Sequence, residues 1–162
     1  MMGRYFLYHM HPLSVGELLR TEVPAREIRP PRALKEPAFR SLWEHGGFPE
    51  PFVEADPRFS QRWRQLRTHQ LVREDVRDLT RIRDLDQMEH LVTLLNERSG
   101  TQLSYTNLAS EVRVAVDSMR RWIECLGSLL HGFLLRPWFK NVARSLRKEP
   151  KWYATDWSRV RD

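Results

Sequence analysis

Residues 94–138 read LLNERSGTQLSYTNLASEVRVAVDSMRRWIECLGSLLHGFLLRPW. The order of signals is that of a winged helix-turn-helix: the end of one helix, a short helix, a turn, a longer helix and an apolar strand. No catalytic motif of comparable definition occurs elsewhere in the chain. A binding or relay module is therefore the leading expectation.

Outward from that stretch, Asp84 and Gln87 have capping-box spacing ahead of Met88, Leu91, Val92 and Leu95, which recur at helical intervals until Gly100. Ser104 is placed to cap a short helix through Val112. After a turn at Arg113 and Val114, a third helix is expected over 115–130, burying Met119, Ile123 and Leu126 with Trp122 alongside. Strands are expected over 132–139 and 151–156, with 140–150 as the wing or its insert.

The first half is less regular. Residues 4–9 (RYFLYH) suit a buried strand that Pro12 terminates, yet no sequence-local partner strand follows. Ser14 is the N-cap candidate of a short helix over 13–20 with Leu18 and Leu19 turned inward. Residues 21–37 carry four prolines among charges and read as a linker or extended crossing segment. A helix over 38–45 is closed by Gly46 and Gly47, and Pro49 and Pro51 oppose its continuation. Asp56 and Pro57 then open a long helix over 58–82, with Phe59, Trp63, Leu66, Leu71, Val76 and Leu79 as its approximate apolar stripe.

The chain has 162 residues, 41% of them hydrophobic and 30% charged, enough for one modest core or two small ones. Its mean hydropathy of -0.60 and the lack of an apolar run near the roughly 20 residues that span a bilayer point to a cytoplasmic protein with no membrane partner. The first eight residues lack the features of a signal peptide, and one cysteine cannot form an internal disulfide. A formal charge of +6, carried mostly by arginine, suits an anionic partner, although arginine-rich helices from a GC-biased genome give the same number.

Several stretches together resemble the prokaryotic AAA+ ATPases that carry a winged-helix segment followed by a C-terminal nuclease-like domain of unknown function. They are Gly3 with Arg4, HPLSVGEL at 11–18, GGFPE at 46–50, REDV at 73–76, the three-helix segment, Arg136-Pro137-Trp138, and KWYATDW at 151–157. The resemblance implies ATP and magnesium as cofactors of the whole protein, held by Walker A and Walker B elements preceding the first matching stretch. This sequence contains no GxxxxGK[ST], so it holds no cofactor by its own motifs and resembles only the lid and winged-helix middle. Arg4 stands where the family places an arginine near the end of the ATPase core, a possible nucleotide sensor. The alternative is an arginine pairing at a strand end.

The winged helix departs from the usual pattern: Arg113 stands where the turn takes glycine, Ala115 where the third helix takes a capping Ser or Thr, and Gly127 lies inside that helix. These departures suggest a divergent copy under relaxed constraint.

Duplex DNA is the sharpest partner expectation. The third helix would present Val116, Asp117, Ser118, Arg120, Arg121 and Glu124, while Ser104, Tyr105 and Thr106 would meet phosphate at the second helix's start. Asp117 and Glu124 oppose this, and winged helices inside ATPases also serve as protein spacers. Metal binding lacks a ligand set: His9 and His11 have no neighbouring Cys or carboxylate cluster, and His45, His69, His90 and His131 read as helix-end or surface residues. Cys125 reads as a small core hydrophobe, no serine stands in a G-x-S-x-G elbow, and Glu50, Glu54 and Asp56 read as solvated loop charges. Of the six tryptophans, Trp63 and Trp122 fall at helical core spacing and Trp138 and Trp152 on the wing strands, so packing is expected over base stacking.

The expected fold is mainly α with a small β component, a helical lid-like segment followed by a winged helix-turn-helix. Residues 1–20 read as the remnant end of an ATPase core, 21–83 as linker and lid, and 84–162 as the winged helix. The expected function is that of a non-catalytic fragment or divergent member of the AAA+ family it resembles, with a winged helix that binds DNA or a protein partner. A free-standing DNA-binding regulator, and the C-terminal half of a split ATPase whose P-loop half is encoded separately, are the alternatives.

Overall fold

Local capping decides where the helices start. In α1 (Val15–Leu18) Ser14 and Glu17 form the reciprocal capping box, and in α4 (Pro57–Gln70) the Asp56 carboxylate accepts from the Phe59 N–H. The computed structural model describes residues 9–20, 32–79, 82–138 and 148–160. Arg4 and the rest of the strand expected over 4–9 up to residue 8, residues 21–31 of the expected linker and residues 139–147 of the expected wing or insert lie outside the described residues.

Helix α2 (Glu36–His45) starts inside the segment expected to be extended, because Pro37 sits in the first turn, where a missing N–H costs nothing. The same reason overturns the loop expected after Gly47. Pro49 and Pro51 occupy the first turn of α3 (Pro49–Glu54), so Glu50 and Glu54 are helical, while Asp56 caps α4. The expected inward turn of Leu18 and Leu19 is only half-burial.

The long helix is not one α-helix. After α4 the chain makes a π-turn over Leu71–Val76 and then α5 (Arg77–Leu79). A π-turn slows the angular advance per residue, so apolar positions on either side no longer share a stripe. Leu71, Val72 and Val76 are buried, whereas Phe59 and Leu66 are exposed and Trp63 is half-buried against Phe48, its indole N–H donating to Glu50. Arg73 ties the π-turn to the next helix through Asp86 and Glu89.

Helices α6 (Leu85–Glu97), α7 (Tyr105–Val112) and α8 (Val116–Ser128) follow, then strands β1 (Gly132–Leu135) and β2 (Lys151–Ala154). The strands pair antiparallel, Gly132 opposite Ala154 and Leu135 opposite Lys151. On the other side of β2, Gln102 bridges Lys151, and Gly100 N–H donates to the Trp152 carbonyl. The chain is thus mainly α with a small antiparallel sheet, in the order expected. The strands are shorter than expected because 136–138 leave the sheet and Asp156 begins a 3-10 turn (Trp157–Arg159).

One hydrophobic cluster holds these parts together, joining Leu71, Val72 and Val76 to Met88, Leu91, Val92 and Leu95 of α6, Leu108 of α7, and Met119, Trp122, Ile123 and Leu126 of α8. Each such side chain contributes roughly 1.5–3 kcal/mol on leaving water. Trp152 closes the cluster from β2, although its buried Nε1 has no hydrogen-bond partner among the described residues.

Four helix ends depart from their best chemistry. Asp84 and Ser104 occupy N-cap positions without making a side-chain cap, which corrects the expectation for both; Asp84 is held at ψ 64°, outside the extended cap geometry. Arg113 ends α7 at φ 62°, a left-handed conformation that glycine adopts more easily, and Ala115 begins α8 with no capping side chain. Ala115→Ser and Gly127→Ala are each expected to raise stability by about 1 kcal/mol, since a Cβ on Gly127 would meet only the Gly132 carbonyl at 3.8 Å. Urea midpoints measure this; a midpoint unchanged or lowered in both variants would contradict it.

Candidate nucleic-acid interface

The periodicity that buries Met119, Trp122, Ile123 and Leu126 turns Asp117, Arg120, Arg121 and Glu124 to solvent, with Ser118 half-buried. Val116, expected outward, instead packs partly against the core. Ser104, Tyr105 and Thr106 lie at the start of α7, where the first helical N–H groups lack intrahelical acceptors. Ser104 and Tyr105 are half-buried and Thr106 is exposed.

Two of the expected residues are brought into direct contact: the Arg120 guanidinium lies 4.5 Å from the centroid of the Tyr105 ring. Burial is the main cause that pushes the Tyr105 phenol up, with Glu124 acting in the same sense and Arg136 and Arg120 against it. Arg136, at the exit of β1, therefore belongs to the same patch, which the contacts expected from sequence did not include. Arg121 is drawn along its own helix, donating to Ser118 Oγ at 3.2 Å and to the Asp117 carbonyl at 3.4 Å. The patch thus offers one arginine held by an aromatic face and one held by its own helix.

A second set of polar residues is buried where the elements converge. His45 and His131, expected at helix ends or the surface, are 4% and 1% exposed. Ser60 Oγ donates to the Asp56 carbonyl, so His45 Nδ1, 2.8 Å from that hydroxyl, is the donor between them. Arg159 Nη1 donates to His131 Nδ1, which leaves His131 Nε2 to donate to Asn96 Oδ1 at 3.1 Å. Burial first, then the Arg159 and Arg67 charges, push His131 down to about 3, so the ring is neutral. Asp156 Oδ1 accepts from the N–H groups of Gly47 and Ser158, and Oδ2 accepts from the Ser158 hydroxyl at 2.7 Å. Leu13 N–H donates to the Gly47 carbonyl at 2.6 Å. The stretches 11–18, 46–50 and 151–157 thereby meet in space. Their spacing in sequence carries no sign of this contact.

The glycine pair before α3 also tests the fit to a nucleotide. Its Gly47 N–H is engaged by Asp156, and a Cβ on Gly47 would lie 2.5 Å from the Leu13 carbonyl, so this turn is closed rather than a phosphate cradle. Among the described residues no group of three or more His, Cys, Asp or Glu is placed to hold a metal ion. Cys125 is half-buried, and burial pushes its thiol up. Of the tryptophans, Trp122 and Trp152 are core residues, while Trp43 at 49% and Trp138 at 83% are exposed, contrary to the packing expected of Trp138. No helix of the described residues is long and apolar enough to cross a membrane.

The family model described as a domain of unknown function (DUF8612) matches residues 36–160. The chain belongs to that family. The matched region takes in the interface patch, the buried polar node and both strands. An uncharacterized protein of Mycobacterium bovis and an uncharacterized protein of Mycobacterium tuberculosis are each 30% identical to the chain over 115 residues, covering 71% of it and 26% of the relative. The aligned part of this DUF8612 chain spans about a quarter of the length of those relatives. No solved structure matches it.

Proposed function

We propose that this DUF8612 chain is a non-catalytic, winged-helix module that contacts duplex DNA through the outward side of α8 and the start of α7. The observation that carries this reading is the Arg120–Tyr105 stack, which places a guanidinium beside the open N-terminus of α7 and near Arg136. Phosphate at such a position gains both free N–H donors and a positive field, while an arginine projecting from the third helix suits a groove edge. ATP and magnesium belong to the reading only through the AAA+ resemblance, and a P-loop element outside this sequence would have to supply their site.

A protein-spacer role within a longer ATPase is the second reading. It is favoured by Phe133, Leu135 and Trp138, which stand exposed on and beyond β1, and by the greater length of the relatives.

The test is duplex binding by single variants across a salt series. Arg120→Ala and Arg121→Ala are each expected to lower the slope of log affinity against log salt by about one if each meets a phosphate. Tyr105→Ala, which releases Arg120 without removing a charge, should weaken binding while leaving the slope nearly unchanged. Variants indistinguishable from the parent would remove this face from the reading and favour the spacer.

A further inference from the structure

Arg159 is half-buried and, among the described residues, has guanidinium donors left over. A guanidinium carries five N–H donors. Among the described residues its side chain makes one hydrogen bond, to His131, and no ion pair, with the Phe48 ring 5.2 Å from its central carbon. Asp156, whose charge acts on it, is already engaged by Gly47 and Ser158. A charge withdrawn from water is costly without a partner, and Arg67 adds a second positive field.

This arginine lines an open groove of about 750 Å³ between α4 and α6, together with Gln61, Arg64, Gln65, Thr68 and Asn96. The lining offers amides and hydroxyls around two guanidinium groups. Glu89 also faces the groove but is held by Arg73, which leaves Glu97 as the opposing carboxylate.

We propose that this groove is a carboxylate-binding site organised by Arg159, with Arg64 at its rim. The planar fork matches a carboxylate in two parallel hydrogen bonds, and the amides of Gln61 and Asn96 can complete its coordination. Shape, not charge, separates the two ligands: a carboxylate lies in one plane with both oxygens on the fork, whereas the further oxygens of a tetrahedral phosphate would meet Glu97 in the same groove. A carboxylate seated on Arg159 leaves the Arg159–His131 bond intact.

Nuclear magnetic resonance of the whole chain tests the proposal, with sodium acetate, sodium phosphate and sodium chloride titrated at constant ionic strength. Acetate should shift the Arg159 Nε–H and Asn96 side-chain amide signals along a saturable curve, while chloride leaves them in place and phosphate binds more weakly. Arg159→Gln should abolish the response. Arg64→Gln, which leaves His131 and the buried node untouched, should weaken acetate binding by about two- to fivefold. The proposal is overturned by the lack of a saturable shift, by equal shifts at arginines across the surface, by phosphate binding as tightly as acetate, or by an Arg64→Gln chain that binds like its parent.

Discussion

Gly46→Ala is expected to cost the fold about 3 to 5 kcal/mol, a large loss for one added methyl group. Gly46 ends α2 at φ 87° and ψ −177°, a region that side-chain-bearing residues rarely enter. A Cβ there would lie 2.7 Å from the Ser158 Cβ and 2.8 Å from Asp156 Oδ1. Relief requires either moving the 3-10 turn or breaking the Asp156 bonds to Gly47 and Ser158, so strain and lost hydrogen bonds add. Set against a typical stability of about 5–15 kcal/mol, this leaves the variant near its unfolding threshold. Urea denaturation beside Gly127→Ala gives the contrast: the same chemical change should raise the midpoint at one site and collapse it at the other. A Gly46→Ala midpoint within error of the parent would show that the node tolerates rearrangement.

Acid should loosen the fold through His131. Its native pKa is pushed down to about 3 from an ordinary value of 6.5, chiefly by burial. Above pH 6.5 the ring is neutral in both folded and unfolded chains, and its contribution to stability is fully present. As pH falls below 6.5 the unfolded chain takes up a proton that the folded chain refuses, so stability declines by about 1.4 kcal/mol per pH unit until the native ring titrates. By pH 4 the accumulated loss is about 3 kcal/mol from this one group. Urea unfolding between pH 7 and pH 4 separates it from the carboxylates by comparison with His131→Gln, which should be less stable at pH 7 and flatter below pH 6.5. Parallel profiles for the two chains would contradict the assignment.

The helices of the second half were legible because one periodicity served both burial and exposure: Met119, Trp122, Ile123 and Leu126 fall on one side of α8, and Arg120 and Arg121 on the other. Turns were legible through residue chemistry at Asp56, Pro57 and Gly100, where capping or left-handed backbone is local. The π-turn was not, since nothing in Leu71–Val76 announces an extra residue per turn, and the stripe drawn through Phe59, Trp63 and Leu66 consequently leaves Phe59 and Leu66 exposed. The buried node was missed for a different reason. His45, His131 and Asp156 become partners of Ser60, Asn96, Arg159 and Gly47 only when segments far apart in sequence fold together. The candidate residues show the same division: Tyr105 and Arg120 are proposed from helix order, whereas their stacking and the nearby Arg136 depend on how α7, α8 and β1 pack.

Fluorescence anisotropy of the parent chain with a labelled duplex, from about 50 mM to 200 mM salt, tests the central claim most directly. Contacts from Arg120, Arg121 and Arg136 predict saturable binding at the low end and a slope of log affinity against log salt near about −3. A chain with an intact helical spectrum that shows no saturable binding at about 50 mM salt would contradict DNA contact by this DUF8612 module and leave the protein-spacer reading in its place.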